Sequence, residues 1–267
     1  MKLADKVIVV TGGGSGIGRE LVLALLARGA RVAALDIQQA GLDETASLAN
    51  AGDRLSLHIA DITDREACQS LPQAIIDAHG QVDGLINNAG IIQPFIHFAE
   101  LDFDVIDRVL RVNLNGPINM LKAFLPHLLE RPEAHIANVS SMGGFLPFPG
   151  QTLYGASKAG VKLLTEGLYA ELFETNVGVS VIMPGAVNTN ITTNSGVAGG
   201  PTEANADAMA RTLPAADAAR IILDGIEAKR LHILVGKDAK LMFAASRIAP
   251  AWATRFIRKQ MAKMQPK

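Results

Sequence analysis

The chain has 267 residues, a mean hydropathy of +0.23 and a formal net charge of −1. A chain of this length can bury one large core, and its near-zero charge gives no whole-chain attraction to nucleic acid. The single cysteine, Cys68, excludes an intrachain disulfide and a cysteine metal cluster, and no pair of histidines has metal-ligand spacing on a helix. We therefore expect neither a metal nor a nucleic-acid partner.

The lengths of the apolar runs indicate whether the chain is secreted or crosses a membrane. The run near the N-terminus is too short for a signal peptide and no small-residue cleavage site follows it. No stretch approaches the length of a membrane span. These features predict a soluble, cytoplasmic protein.

Strand and helix patterns alternate along the chain, which is typical of a parallel sheet covered on both faces. Short β-branched runs predict the strands, and apolar periodicity predicts the helices between them. The predicted strands are Lys6–Thr11, Arg31–Asp36, Arg54–Ala60, Val82–Asn87, Ala134–Ser140, Gly178–Met183 and Leu231–Val235. The predicted helices are Gly16–Arg28, one ending near Asn50, Asp64–His79, Asp104–Leu129, Thr152–Thr175 and Ala215–Ala228. Within Asp104–Leu129, Pro117 and Asn115–Gly116 are expected to bend the helix or to delay its regular part. The pattern predicts an α/β fold with a doubly wound parallel sheet of about seven strands in a three-layer sandwich.

No linker or internal repeat divides residues 1–236, so we expect a single catalytic domain there. Within it, Asn188–Pro214 is rich in Gly, Thr, Asn and Ala and is predicted to be a mobile loop with short helical pieces that closes over substrate. Residues 237–267 form a basic, amphipathic extension with eight Lys and Arg residues and one acidic residue, Asp238. Pro250 should interrupt or begin a helix, so two helical pieces are expected.

The sequence Thr11–Gly18, TGGGSGIG, follows the first predicted strand and opens the first predicted helix, which is the context of a dinucleotide-binding loop. Gly12 permits a tight turn, Gly16 lets the backbone approach a pyrophosphate, and Gly18 lets helix and strand pack closely. The free N–H groups at the helix N-terminus favour the phosphates. The cofactor-binding residues expected in this loop are Gly12, Ser15, Gly16, Ile17 and Gly18.

Asp36 ends the second predicted strand, where a carboxylate accepts hydrogen bonds from ribose hydroxyls and repels a 2′-phosphate. Neither the glycine loop nor Ile37 places an arginine or lysine beside it, so NAD is favoured over NADP as cofactor. Asp61 and Ile62 follow the third strand and could hold the adenine edge. Asp61 could equally serve as the N-cap of the next helix.

Tyr154 and Lys158 lie four positions apart at the start of a predicted helix, which places both side chains on one face. A phenol has an ordinary pKa of about 10, and a neighbouring ammonium favours the phenolate. Ser141, thirteen positions before Tyr154, could hydrogen-bond a substrate oxygen beside the phenol. These residues make a plausible proton-transfer group, although Tyr-x-x-x-Lys is also common on helix surfaces.

In combination, the motifs resemble those of the short-chain dehydrogenase/reductase family, over about residues 5–236. Thr11–Gly18 is similar to the family's TGxxxGxG sequence, and Asn87–Gly90 is similar to its NNAG sequence. Four residues match its catalytic tetrad: Asn113, Ser141, Tyr154 and Lys158. Further cofactor contacts implied by the resemblance are Asn88, Ala89, Gly90, Tyr154, Lys158, Pro184, Gly185, Val187 and Thr189.

The resemblance implies a Rossmann-type fold and hydride transfer between a carbinol carbon and NAD, with Tyr154 as the acid or base. In the family pattern Lys158 lowers the tyrosine pKa and holds the nicotinamide ribose, and Ser141 orients the substrate oxygen. Asn113 would hold a water that links Lys158 to solvent, although it could merely satisfy backbone groups. The family is commonly dimeric or tetrameric, so a homodimer or homotetramer is expected.

The substrate is expected to be a hydrophobic secondary alcohol or ketone. Phe145–Phe148 follows Ser141, and Ile91, Ile92, Phe95 and Phe98 follow the fourth strand, so both segments near the expected pocket are apolar. Core packing or a subunit contact explains the same residues equally well. The chemistry has two alternatives: a catalytically idle NAD-binding regulator or scaffold, which an intact tetrad disfavours, and a C=C reductase or sugar-nucleotide enzyme.

The extension at residues 237–267 mixes aromatic and aliphatic residues with basic ones, including Trp252 and Phe256. Such a helix can lie on an anionic membrane surface. Packing on a partner subunit, with solvated lysines, is the alternative that family oligomerisation favours.

Overall fold

The computed structural model describes residues 1–197 and 212–262. Seven strands form its central sheet: β1 (Val7–Thr11), β2 (Arg31–Asp36), β3 (Leu55–Ile59), β4 (Gly84–Asn87), β5 (Ala134–Val139), β6 (Val177–Pro184) and β9 (His232–Val235). Their order is β3-β2-β1-β4-β5-β6-β9, and every neighbouring pair is parallel. The predicted Rossmann-type doubly wound sheet is confirmed, and the strand bounds differ from the predicted ones by at most two residues.

The strands read as continuous apolar runs because both faces of the sheet are covered. In β1, all five residues are buried. Successive side chains point to opposite faces, so Ile8 and Val10 join one core while Val7 and Val9 join the other.

Helices cover both faces and complete the three predicted layers. The described helices are α1 (Gly16–Ala27), α2 (Gln39–Ala49), α3 (Arg65–His79), α4 (Phe103–Leu110), α5 (Gly116–Leu129), α6 (Thr152–Glu171), α7 (Ile191–Asn194), α8 (Ala215–Glu227), α9 (Lys237–Ile248) and α10 (Pro250–Met261). Leu25 of α1 and Ile222 of α8 are buried in one core, and Ile75 of α3 and Phe124 of α5 in the other.

The helix predicted over Asp104–Leu129 is interrupted. A single π-helical turn, Arg111–Asn115, joins α4 to α5, and Pro117 lies in the first turn of α5, where a missing N–H is tolerated. The helix predicted over Thr152–Thr175 ends earlier, at Glu171. There the Thr175 backbone N–H donates to the Leu172 carbonyl and closes a turn.

Only the ends of the predicted loop Asn188–Pro214 fall in the described part of the chain. They contain α7 and two short strands, β7 (Val187–Asn188) and β8 (Leu213–Pro214), which pair with each other. The part of that prediction that concerns residues 198–211 lies outside the described residues.

The extension after β9 forms the two expected helical pieces, with α10 beginning at Pro250. Ala239 and Met242 of α9 and Ala253 of α10 are buried. Met242 and Ala253 pack with Leu146, which follows Ser141 in the chain. The inner face of the extension therefore packs on its own chain, beside the segment that carries the predicted catalytic serine.

Candidate active site

The predicted proton-transfer residues meet at the carboxyl edge of the sheet. Ser141 follows β5, and Tyr154 and Lys158 lie one turn apart at the start of α6. The Ser141 hydroxyl hydrogen-bonds the Tyr154 phenol and also accepts a bond from the Gly143 N–H at 3.0 Å. Ser140 instead is buried and donates to the Lys158 carbonyl at 2.7 Å, which leaves Ser141 as the serine that faces the phenol.

Burial shifts the pKa of both Tyr154 and Lys158. Burial raises the pKa of the Tyr154 phenol, and the hydrogen bond with Ser141 opposes that rise. Lys158 is 4% exposed, its Nζ donates to the Val139 carbonyl at 3.0 Å, and burial lowers its pKa to about 8. Desolvation is the larger cause of the shift at Tyr154, and the role of the Lys158 ammonium in lowering the phenol's pKa stays a prediction.

Asn113 lies in the π-helical turn, fully buried. Its Oδ1 accepts from the Ile91 N–H at 2.9 Å, and its Nδ2 donates to the Ile91 carbonyl at 2.8 Å and to Ser157 Oγ at 3.2 Å. A Cβ added to Gly90 would lie 3.0 Å from Lys158 Nζ and 3.2 Å from Asn113 Oδ1. The Asn113 amide thus hydrogen-bonds both backbone groups of Ile91, in the segment after β4. Together with Lys158, it also lies against Gly90.

Gln93 is a site residue that the sequence analysis missed. Its side chain is fully buried, and its Oε1 accepts from the backbone N–H groups of Leu153 and Tyr154, both at 2.9 Å. Its Nε2 donates to the Gly150 carbonyl at 3.1 Å. Gln151, at the N-cap of α6, makes no side-chain cap, so Gln93 takes over that role from a distant segment. The sequence around the start of α6 does not indicate this cap, because Gln93 lies 60 residues before Leu153 in the chain.

The glycine loop joins β1 to α1 as predicted. Gly12 has φ +70°, and a Cβ there would lie 2.9 Å from Asn88 Nδ2, so the turn needs glycine. Ser15 does not cap α1 with its side chain; its hydroxyl accepts from Asn194 Nδ2 at 2.8 Å. Gly16, Ile17 and Gly18 form the first turn of α1, whose N–H groups suit an anion.

Asp36 lies at the carboxyl end of β2 beside that loop. Its Oδ2 accepts from the Gly14 N–H at 3.0 Å and its Oδ1 from the Gln38 N–H at 3.1 Å. The sequence analysis found no cation in the loop, yet Arg19 of α1 reaches it, with Nη2 at 2.6 Å from the Gly14 carbonyl.

The Arg19 guanidinium is already paired. Its Nη2 lies 2.6 Å from Glu44 Oε2, and its Nε donates to Thr45 Oγ1 at 3.1 Å. The arginine in turn lowers the pKa of the Glu44 carboxyl. A phosphate at this corner would have to compete with Glu44 for the arginine and would also face Asp36.

Asp61 and Ile62 follow β3. The N-cap of α3 is Asp64, whose Oδ1 accepts from the Glu66 and Ala67 N–H groups, so the alternative that Asp61 caps the helix is wrong. Asp61 is exposed, and within the described residues its carboxylate accepts a bond only from the Thr63 N–H, which leaves the outer edge of the carboxylate available to a ligand. Ile62 is 7% exposed and packs in the core.

The residues after β4 are bound to the end of β1. The Thr11 hydroxyl accepts from the N–H groups of Asn88 and Ala89 at 2.9 and 3.1 Å, and Asn88 Nδ2 donates to the Thr11 carbonyl at 3.0 Å. Asn87 is buried and donates to Asn138 Oδ1 at 2.8 Å. This network fixes the crevice where the strand order reverses, the usual ligand position in doubly wound sheets.

The segment after β6 meets the glycine loop from the other side. Pro184 ends β6, and Val187 lies in β7. A Cβ added to Gly16 would lie 3.4 Å from the Thr189 Cβ. The structure therefore brings the predicted nicotinamide segment next to the predicted phosphate loop.

Asp238, in the first turn of α9, is a further residue whose role the sequence did not indicate. Its Oδ2 accepts from the Ala186 N–H at 2.8 Å. Its carboxylate lies between Gly185 and Gly236, where a Cβ on either glycine would overlap it. The extension at residues 237–267 thus contacts the predicted nicotinamide segment. The predicted boundary after residue 236 gave no indication of this contact.

The apolar segment after Ser141 contacts the extension as well. The Phe145 ring packs edge-on against Phe243 with centroids 5.1 Å apart. Leu146 is 1% exposed, so it is a core residue, whereas Phe145 and Phe148 are partly buried beside it. Core packing therefore explains part of the apolar segment, and Phe243 of α9 supports Phe145.

The arrangement fits a dinucleotide. One crevice is lined by the uncapped N–H groups of α1, by glycines packed against neighbouring backbone and by the carboxylate at the end of β2. The crevice leads to the Tyr154 phenol, which is hydrogen-bonded to Ser141. Across residues 1–197 and 212–262, no cluster of His, Cys, Asp or Glu has the arrangement needed to hold a metal ion. None of the helices in those ranges is long and apolar enough to cross a membrane. The fold and the crevice are those of a dinucleotide-binding α/β protein.

Comparison with known proteins specifies the class further. The family model described as short chain dehydrogenase matches residues 6–198. SadH of Mycobacterium tuberculosis is 34% identical over 268 residues, which cover 98% of this chain and 97% of SadH. The chain belongs to the short-chain dehydrogenase/reductase family and is an oxidoreductase.

Two solved structures of the family are similar over nearly their whole length. A short-chain dehydrogenase/reductase from Burkholderia phymatum, in complex with NAD, has a TM-score of 0.82 and 28% identity, covering 93% of this chain and 96% of its own. A short chain dehydrogenase from Burkholderia cenocepacia, in complex with NADP, has a TM-score of 0.81 and 27% identity, covering 96% and 99%. These neighbours support a nicotinamide cofactor without distinguishing NAD from NADP.

Proposed function

We propose that the protein interconverts a hydrophobic secondary alcohol and its ketone, with NAD as cofactor and Tyr154 as the acid or base. The observation that carries the proposal is the Ser141–Tyr154 hydrogen bond, one helical turn from a buried Lys158 and at the mouth of the glycine-lined crevice. The NAD cofactor supplies or accepts the hydride when bound.

The chain's own residues handle the proton. In oxidation, Tyr154 removes the hydroxyl proton; in reduction, it donates a proton to the developing alkoxide. Ser141 orients the substrate oxygen toward the phenol. Burial raises the phenol's pKa, and a charged Lys158 one helical turn away would favour the phenolate and so make Tyr154 a more effective base.

The preference for NAD rests on the charges around Gly14. Asp36 is held there by the Gly14 and Gln38 N–H groups, and Arg19 is paired with Glu44. A 2′-phosphate would meet the carboxylate of Asp36 and find its nearest cation already bound. A ribose hydroxyl would instead donate a hydrogen bond to Asp36.

The substrate preference rests on the segment after Ser141, whose Phe145 and Phe148 are partly buried beside the site. Apolar surface there favours an aliphatic or aromatic alcohol over a charged one. We also propose a homodimer or homotetramer in the cytoplasm, on the pattern of the family.

The test compares Tyr154→Phe with a matched control, Tyr169→Phe, on the same helix. Secondary alcohols of increasing hydrophobicity are screened with NAD+ and with NADP+, and cofactor binding is measured separately by calorimetry. We expect Tyr154→Phe to lose at least ~100-fold in kcat while it still binds NAD+, and Tyr169→Phe to retain activity.

Turnover that survives in Tyr154→Phe would refute the assigned acid or base. A preference for NADP+ in the wild type would refute the argument from Asp36. Binding of NAD+ by a wild type that turns over none of these alcohols would favour the catalytically idle regulator instead.

A further inference from the structure

The C-terminal helical pair, α9 and α10 (residues 237–261), has an inner and an outer face. The inner face is fixed by buried Met242 and Ala253, which pack on Leu146, and by Asp238, which bonds the Ala186 N–H. Because these contacts are made within the chain, the orientation of the pair does not depend on a partner. Its outer face is therefore a preformed surface.

That outer face is uniformly basic. Its exposed charged side chains are Lys237, Lys240, Arg247, Arg255, Arg258 and Lys259. Asp238 is the one acidic residue of the pair, and its carboxylate is turned inward between two glycines. The pair thus presents positive charge to solvent with no acidic side chain to offset it.

Large apolar side chains are interspersed with these cations. Leu241 is 70% exposed, Ile248 84%, Trp252 55% and Phe256 38%. The Trp252 and Phe256 rings stack with centroids 5.2 Å apart, so they form one exposed aromatic unit. Leu241 and Ile248 lie two turns apart on one side of α9. Apolar area concentrated in this way marks an interaction surface.

We propose that the outer face of the C-terminal helical pair docks on an anionic lipid bilayer. Anionic headgroups neutralise the cations, and the acyl boundary beneath them takes up Trp252, Phe256, Leu241 and Ile248. A second copy of the pair is a poorer occupant, because a twofold contact places the same patch on both sides and brings like charges together. An anionic bilayer both neutralises the positive charge of the outer face and buries its apolar side chains.

Docking has a consequence for the proposed function, on which this step rests. The inner face of the same pair packs against Phe145 and Leu146, beside Ser141. A membrane-bound pair would therefore hold the apolar side of the substrate site close to the lipid. The substrate class that fits is a hydrophobic alcohol or ketone dissolved in the bilayer.

The test is co-sedimentation of the full chain with phosphatidylcholine vesicles, either pure or containing about one-third phosphatidylglycerol. We expect binding only to the anionic vesicles and its loss in high salt. The variant Arg255→Glu/Lys259→Glu should weaken binding at least tenfold, and Ile248→Ala/Trp252→Ala should weaken it severalfold. Their matched controls are Arg65→Glu/Lys122→Glu and the exposed Phe103→Ala, all on the main body.

Equal binding to both kinds of vesicle, no binding to either, or equal losses in the controls would overturn the proposal. A change of oligomeric state in Ile248→Ala/Trp252→Ala, measured by light scattering, would assign the face to a second copy of the chain instead. Turnover of a water-soluble alcohol in the absence of vesicles is measured in parallel, so that failure of docking and failure of the proposed chemistry are told apart.

Discussion

Replacement of Gln93 by leucine should disable the catalytic helix without touching a catalytic residue. The Gln93 side chain is fully buried and supplies the acceptor for the Leu153 and Tyr154 N–H groups and the donor for the Gly150 carbonyl. Leucine is similar in size but offers no hydrogen bond. The N-terminus of α6 then keeps two N–H groups without their acceptor.

The magnitude follows from these bonds. A buried polar group left without its partner costs about 1–3 kcal/mol, so two N–H groups cost roughly 2–6 kcal/mol if the helix end does not fray into solvent. That is a large part of the 5–15 kcal/mol that stabilises a typical domain. If the helix end frays, the cost in stability falls, and Tyr154 loses its fixed position beside Ser141 instead.

Two measurements separate these outcomes: the free energy of unfolding in urea, and kcat with the best alcohol of the screen. Gln93→Glu is the informative companion, because a carboxylate still accepts both N–H bonds and loses only the donor to Gly150. It also places negative charge beside the Tyr154 backbone N–H, which should raise the phenol's pKa, so the low-pH limb of the pH–rate profile for alcohol oxidation should move to higher pH. A Gln93→Leu variant with unchanged stability and unchanged kcat would refute the positioning role.

Two further predictions concern Asp238 and Lys158. Asp238→Ala should lower affinity for NAD+ severalfold, because the segment after β6 loses its bond to the Ala186 N–H and must then be ordered when the cofactor binds. Asp238→Asn, which still offers an acceptor, should recover part of that affinity in a calorimetric titration, and equal affinities in all three proteins would contradict the role. Burial lowers the pKa of Lys158 from 10.5 to about 8, so between these values the folded protein binds fewer protons than the unfolded chain and its stability must rise with pH. The rise in the free energy of unfolding is at most about 3 kcal/mol. Lys158→Met should lack this rise when urea unfolding is compared at pH about 7 and about 10. A parallel rise in the variant would assign the effect to other groups.

Sequence reasoning recovered the fold because the signals are local and repeated. Each buried strand, such as VIVVT in β1, is bounded by a turn and followed by a helical periodicity. It also named Ser141, Tyr154 and Lys158, because their spacing along the chain is itself the signal. Their roles remain predictions, which the substitutions above test.

The residues that escaped prediction act across long separations in the chain. Gln93 caps a helix that begins at Thr152, Arg19 of α1 pairs with Glu44 of α2, and Asp238 reaches Ala186. No pattern in the local sequence encodes such contacts, because they depend on where the sheet brings its loops. The desolvation that raises the Tyr154 pKa also has no signal in the sequence, since it is a property of the assembled site.

The position of the Asp238 carboxylate between Gly185 and Gly236 also limits how related sequences can diverge. A side chain at either glycine would occupy the volume that the carboxylate fills. The three positions should therefore change together across descendants of this chain: where Asp238 is replaced by a smaller residue, alanine or serine becomes acceptable at 185, whereas 236, with its φ of +105°, still favours glycine. Such joint variation would mark relatives in which the end of the chain no longer holds the loop after β6.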